Sequence, residues 1–319
     1  MIKRRSLLAA AGTAVAAGSA WAQKPAGWQP AGPMEIIVGF APGGGADLAA
    51  RAIAQAAAPQ FPVPLVVVNK AGAGGAIAAQ QVAGMPPNGQ ALLVGGGSES
   101  TSLPAFREVP YDPKRSFRAV LRLTRQPLLI VAGKKSRFPT LQAAVEEARA
   151  KPGTVSHASS GIGSLYHAVF LLLGKAAGVE FLHAPFTGGG PSLQALLAGT
   201  VELAVLAPEE MGGLVADGEI RPLGVASAER LPAFPEVPTL RELGWNVEIE
   251  NMKGLMGPAG MPDAVVASLH DRFRQAMAAP AWTTFLERTG ATEGYLDGPA
   301  FQAAMDRLLD QVTAAVRQG

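Results

Sequence analysis

The residues best suited to hold a ligand are small ones, gathered in turns. Four glycine-rich turns each follow an apolar run: Phe40-Ala41-Pro42-Gly43-Gly44-Gly45-Ala46-Asp47, Gly95-Gly96-Gly97-Ser98, Ser159-Ser160-Gly161-Ile162-Gly163-Ser164 and Phe186-Thr187-Gly188-Gly189-Gly190-Pro191-Ser192. Three of them precede a helical pattern. Glycine lets backbone approach a ligand closely, and a helix start presents unpaired N–H groups at the positive end of its dipole. In open α/β sheets, turns at the carboxyl ends of strands face the ligand crevice. One such turn is a tight connection. Four on one cleft make an anion site rich in backbone donors and hydroxyls.

Other chemistry is poorly supplied. The chain has no Cys, which removes disulfides, thiol nucleophiles, iron–sulfur clusters and zinc–thiolate sites. His157, His167, His183 and His270 lack metal-ligand spacing, and no serine sits in a G-x-S-x-G elbow. No G-x-x-x-x-G-K-[ST] loop is present. Gly72-Ala73-Gly74-Gly75-Ala76-Ile77 opens like a dinucleotide fingerprint, but Ile77 takes the third small position and no acidic residue closes the next strand. No cofactor or metal is therefore expected. His157 and His183 read as structural imidazoles; His167, one turn into a helix after Ser164, is either structural as well or turned toward the cleft. Asp47 either caps the helix after it or holds a ligand amino group. Glu209-Glu210 reads as a solvated helix start.

The elements that must position these turns alternate in the manner of an α/β fold. Strands are expected at 34–40, 65–68, 91–94, 128–132, 154–158, 181–184, 201–206, 221–226 and 247–257. Helices are expected at 46–60, 75–83, 140–150, 164–177, 191–198 and 211–216, with a helical tail at 263–277, 280–289 and 299–318. Thr140 after Pro139 is an N-cap candidate. The three prolines of Leu231–Pro238 demand a loop.

A length of 319 residues suits two domains, and with 48% hydrophobic and 16% charged residues the chain is not disordered. Residues 1–22 read as an export signal: Lys3, Arg4 and Arg5, then an apolar stretch, then Ala20-Trp21-Ala22 before Gln23. Arg4-Arg5 also fits a twin-arginine pattern loosely. Removing the three basic residues with this signal takes the net charge from +2 to −1. No basic stripe with interleaved aromatics remains, so nucleic acid is not an expected partner. No later stretch is long and apolar enough to span a bilayer. A soluble protein outside the cytoplasm is expected.

In order along the chain, several segments resemble the receptors of tripartite tricarboxylate transporters, the Bug family. They are Phe40-Ala41-Pro42-Gly43-Gly44-Gly45-Ala46-Asp47 with Ala50-Arg51, Val66-Val67-Val68-Asn69-Lys70-Ala71-Gly72-Ala73-Gly74-Gly75 and Pro110-Tyr111-Asp112-Pro113. Ala158–Ser164, Ala184–Pro191, Leu231–Thr239 and Gly257–Pro262 continue the set. The resemblance implies a periplasmic-binding-protein-like (type II-like) flytrap, two α/β lobes with the ligand cleft between them. Residues 23–125 and 247–319 would form one lobe and 126–246 the other. It implies a monomeric receptor that hands a small carboxylate to membrane permease subunits. Phe40, Ala41, Gly44, Gly45, Asp47 and Ser98 would face the ligand from the first lobe, and Ser160, Gly161, Gly163, Ser164, Thr187, Gly188 and Gly189 from the second.

The chain departs from that family's pattern in places. Gly96-Gly97-Ser98-Glu99-Ser100 replaces a Thr-rich stretch with a His, Leu206 stands for an Asp, and Met252-Lys253 stands for an aromatic pair. A lost Asp and a gained Lys tilt the cleft toward anions and away from amino acids, provided that these positions line it. Glu99 pulls the other way if it faces inward. Two rival readings share the cleft: a secreted enzyme acting on a carboxylate, and a ligand-sensing partner of a membrane signalling protein.

Overall fold

The computed structural model describes residues 27–317, Gly290 excepted; the expected export signal lies outside these residues. The chain begins with β1 (Met34–Val38), α1 (Gly45–Ala57), β2 (Leu65–Asn69), α2 (Ala76–Ala83) and β3 (Ala91–Gly95). Two single turns follow, α3 (Ser98–Thr101) and α4 (Leu103–Phe106), and then the long β4 (Phe117–Pro127). The middle block runs β5 (Leu129–Gly133), α5 (Leu141–Ala150), β6 (Ser156–Ser159), α6 (Leu165–Ala177) and β7 (Leu182–Pro185). It continues through α7 (Gly189–Ala198), β8 (Leu203–Leu206), α8 (Pro208–Met211) and β9 (Ile220–Val225). Last come β10 (Glu250–Pro258), α9 (Asp263–Ala276), α10 (Pro280–Thr289), β11 (Glu293–Asp297) and α11 (Gly298–Arg317).

The strands make two mixed sheets, β11-β4-β10-β3-β1-β2 and β7-β6-β8-β5-β9. β1 lies parallel between β2 and β3, with Ile36 opposite Val67 and Leu92. Its apolar run is buried on both faces, as strands covered by helices require. Met34, Ile36 and Val38 pack with Ile53, Phe273 and Trp282 of α1, α9 and α10, while Ile37 and Leu93 face the other side with Phe301 of α11. Caps set the helix starts: Thr140 accepts from the Ala143 N–H at 3.2 Å and Ser164 from the His167 N–H at 3.0 Å.

β4 and β11 have no counterpart in the sequence reading. β4 sits inside its sheet between β10 and β11, antiparallel to both. Its pattern FRAVLRLTRQP interrupts the apolar run with Arg118, Arg122 and Arg125, which hides a strand buried on both faces. Arg122 is itself buried; its Nε donates to the Gly294 carbonyl and its guanidinium lies 3.6 Å from Glu250. The expected helix at 211–216 forms instead as α8, starting at Pro208, followed by a 3-10 turn.

The chain passes between the sheets where β4 gives way to β5 at Leu128, and again where Ile249 leads into β10. The two passages are tied together: the Ala226 N–H donates to Leu128 O at 2.8 Å and the Ile249 N–H to Ala226 O at 2.9 Å.

Trp282, fully buried beside Phe285, anchors the α10 segment on the first sheet's core. Trp282→Ala is expected to lower unfolding free energy by about 3–5 kcal/mol in urea denaturation. A loss under about 1 kcal/mol would mean that the tail is only loosely attached.

Candidate functional site

All four glycine-rich turns meet at the seam between the sheets around a narrow cavity of about 30 Å³, joined by Glu99 just after the Gly95–Ser98 turn. That is room for a water or a small polar head group. Phe40, Gly44 and Gly45 enter from the β1–α1 turn, and Asn251, Met252 and Lys253 from β10. Ser160, Tyr166, Gly189 and Glu210 close it from the second sheet's side.

Hydrogen bonds stitch the two sides together. The Ala41 N–H donates to the Thr187 carbonyl at 3.1 Å, and the Ser102 hydroxyl to the Gly163 carbonyl at 2.8 Å. The Leu165 N–H at the start of α6 donates to Ser98 Oγ at 3.0 Å. The Gly45 N–H at the start of α1 donates to Glu210 Oε1 at 2.9 Å. Lys253 Nζ reaches Glu209 Oε1 at 2.6 Å, with both side chains almost fully buried. Gly45 and Gly189 leave room for this, because a Cβ at either position would collide with the carboxylate of Glu209 or Glu210 respectively.

Glu209-Glu210 is therefore no solvated helix start, since the opposite side covers both residues. Glu210 Oε2 also accepts from the Ala207 N–H at 2.8 Å and the Tyr166 hydroxyl at 2.7 Å. Burial pushes the Glu210 carboxyl up, Glu209 adds to the rise, and burial likewise pushes up the Tyr166 phenol. Glu99 does face inward. Burial raises its carboxyl too, against donors from the Gly97 N–H at 3.2 Å and the Ser100 hydroxyl at 2.8 Å. Glu209 Oε2 has no hydrogen-bond partner among the described residues.

The expected ligand residues divide by place. Phe40, Gly44, Gly45, Ser98, Ser160 and Gly189 line the cavity. Phe40 and Ser160, with Gly161 and Thr187, also line an outer chamber of about 270 Å³ bounded by Gly72–Gly74 and Arg107. Ala41 sits on the seam, and a Cβ at Gly188 would lie 3.3 Å from its N. Asp47, Gly163 and Ser164 line neither chamber. Asp47 holds the first turn in shape, accepting from the Gly43 N–H at 3.0 Å, Asn69 at 2.9 Å and Arg51 at 3.0 Å. Burial pushes its carboxyl up, but these donors outweigh it and leave it below the ordinary value. Of the departing positions, Glu99, Met252 and Lys253 line the cavity, whereas Leu206 packs in the second sheet's core. Tyr166 and Asn251 carry no motif that marks them in the sequence, yet both line the cavity.

His167 does not face the cleft. It stacks on His183 at 3.9 Å between ring centroids, His183 stacks on His157 at 4.9 Å, and all three line a separate cavity of about 630 Å³. Ser159 Oγ lies 2.6 Å from His183 Nε2, a hydroxyl–imidazole pair, but Ser159 is fully buried and its hydroxyl also bonds Gly161. Burial lowers all three imidazoles, and for His183, beside His167, the value falls to about 4.

This architecture has counterparts. Residues 49–312 match the family described as the tripartite tricarboxylate transporter family receptor. The chain belongs to this family. A relative in Pseudomonas sp. strain P51, a UPF0065 protein from the tcbD–tcbE intergenic region, is 33% identical over 91% of this chain and 86% of its own length. MatC from Rhodopseudomonas palustris, solved with bound malate, superposes with a TM-score of 0.85 at 29% identity, covering 90% of this chain and 99% of that one. A second R. palustris protein, solved with adipate, gives a TM-score of 0.82 at 27% identity over 90% of this chain and 98% of its own. Among the described residues no helix is long and apolar enough to cross a membrane, and no group of His, Asp or Glu is arranged to hold a metal.

Lys253→Met would leave Glu209 buried and unpaired, so a loss of about 3–5 kcal/mol is expected in urea unfolding, with Lys253→Met/Glu209→Leu regaining most of it. An equal loss in the double variant would mean that the pair contributes through packing alone. For His183, a folded value below the unfolded 6.5 means that its contribution to stability is complete above pH 6.5 and fades toward about pH 4 as the pH falls. An NMR titration of the His183 ring is expected to give a midpoint near 4; a midpoint near 6.5 would place that ring in water.

Proposed function

We propose that this chain is an extracytoplasmic solute receptor that closes two lobes on a small carboxylate and delivers it to the permease subunits of a tripartite tricarboxylate-type transporter in the membrane. The observation that carries this reading is the convergence of glycine-rich turns from two sheets on one cleft, bonded to each other across it. Malate and adipate in two structural relatives support a carboxylate as cargo. The receptor works as a monomer in the periplasm after loss of residues 1–22, binds without a cofactor and does not turn its ligand over.

In this reading residues 23–125 and 247–319 move as one lobe and 126–246 as the other. The sheet memberships support the division, since β4 and β10 belong to one sheet and β5 and β9 to the other. The ligand lies across Phe40 and Ser160, the residues common to both chambers. Its carboxylate is held by the hydroxyls of Ser160 and Thr187 and by backbone N–H groups of the turns, with Gly44, Gly45, Gly161 and Gly189 giving close approach. Ala41, Ser98 and Gly188 act at the seam that forms on closure. Asp47, Gly163 and Ser164 keep the turns in shape. Each charge-assisted bond to the carboxylate adds affinity only when both lobes are in place.

A thermal-shift panel of mono-, di- and tricarboxylates and amino acids tests the proposal. One class is expected to raise the melting temperature with concentration, equivalent to about 2.7 kcal/mol at a hundredfold excess over Kd. Ser160→Ala or Thr187→Ala is expected to weaken that ligand about threefold to tenfold. Shifts only with ligands that carry no carboxylate would overturn the reading.

A further inference from the structure

The polarity of the cleft points to a narrower class of cargo. Two of the three helix starts that follow glycine-rich turns are filled by side chains from the opposite side: the α1 N–H of Gly45 by Glu210, and the α6 N–H of Leu165 by Ser98. Glu210 is no loose occupant, because the Ala207 N–H and the Tyr166 hydroxyl hold it from its own side. Around the inner chamber stand the carboxyls of Glu99 and Glu210, with Glu209 against Gly45, while Lys253 is engaged by Glu209 at 2.6 Å. Three carboxyls thus face one ammonium that is already paired.

The same wall holds buried polar atoms without partners among the described residues. They are Glu209 Oε2, Thr124 Oγ1 and both amide atoms of Gln126. Thr124 lies opposite Lys253 in the β4–β10 ladder, and Gln126 opposite Asn251. The outer chamber has the reverse polarity, since the one charged residue in its lining is Arg107. The cleft is lined by carboxyls inside and by a guanidinium at its mouth.

Building on the carboxylate-receptor reading, we propose that this protein selects carboxylates that also bear an amine, the amino-acid class, with the ammonium in the inner chamber against Glu210 and Glu99 and the carboxylate in the outer chamber beside Arg107. An ammonium offers three donors to acceptors that the chain leaves in excess. A plain dicarboxylate must instead bring a further carboxylate into a small buried space that holds carboxyl groups and no unpaired ammonium to receive it. The inner chamber, at about 30 Å³, takes a head group but not a carbon chain. This reverses what Leu206 and Lys253 imply from sequence: Leu206 packs in the second sheet's core and does not line the cavity, and Glu209 pairs with Lys253. Selectivity then resides in rejection as much as in attraction.

Calorimetric titration with pairs that differ only in the amine tests this: aspartate against succinate, and glutamate against glutarate. At least one amine-bearing member is expected to bind about tenfold or more tightly than its partner, and Glu210→Gln or Glu99→Gln to erase most of that difference. Burial holds the Glu99 and Glu210 carboxyls high, so an arriving ammonium is expected to expel protons, read from the dependence of the binding heat on buffer ionisation enthalpy. Equal or tighter binding of the plain acids, or proton uptake on amino-acid binding, overturns this inference and leaves the carboxylate receptor standing. Failure of every acid in the pairs overturns this inference, and the wider thermal-shift panel then decides the carboxylate reading. The comparison of ligands on the unaltered protein decides the matter even if a variant does not fold.

Discussion

The structure depends on how two sheets satisfy the polar groups that each exposes to the other. At their seam, backbone N–H groups from helix starts and turns would be buried and unpaired if the facing side offered only apolar surface, at a cost of about 1–3 kcal/mol for each orphan. Glu210 on Gly45, Ser98 on Leu165, and the Ala41–Thr187 and Ser102–Gly163 bonds meet that demand. The glycines at 45 and 189 follow from it, since the carboxylates occupy the space that a side chain would need. The Lys253–Glu209 pair follows as well. An ion pair in such a place adds little net stability compared with a well-packed apolar pair. What it does is make one relative placement of the sheets far better than its neighbours.

Much of the scaffold is legible in the sequence because its causes are local. Thr140 and Ser164 cap helices through bonds to residues three positions on, and 34–38 or 91–95 can only be strands covered on both faces. The two strands that go unread, β4 and β11, owe their placement to partners far away in the chain. Arg122 on β4 is tolerated in a buried strand because Gly294 and Glu250 receive its guanidinium, and neither is visible from position 122.

The candidate site is legible in its turns and not in its charges. Spacing marks Phe40, Gly44, Gly45, Ser160 and Gly189, all of which reach the cavity. Glu209 and Glu210 look like an ordinary acidic helix start because sequence says nothing of what a helix of four residues will be pressed against. His167 goes to the other side of its helix for a related reason: His183 and Phe106 offer its ring flat partners, and the Gly163 N–H donates to its Nδ1 at 3.1 Å. The side of a helix that a residue takes is a property of the packing around it.

The two passages between the sheets run side by side and are bonded through Ala226 to Leu128 and Ile249. A pair of strands joined edge to edge behaves mechanically as a flat ribbon, compliant to bending out of its plane and stiff to shear within it. In the proposed receptor the lobes would therefore swing about one axis without sliding past each other by a residue. Closure would then bring Gly45 back to Glu210 and Ala41 back to Thr187, with the registration of the seam fixed at a point remote from the seam itself.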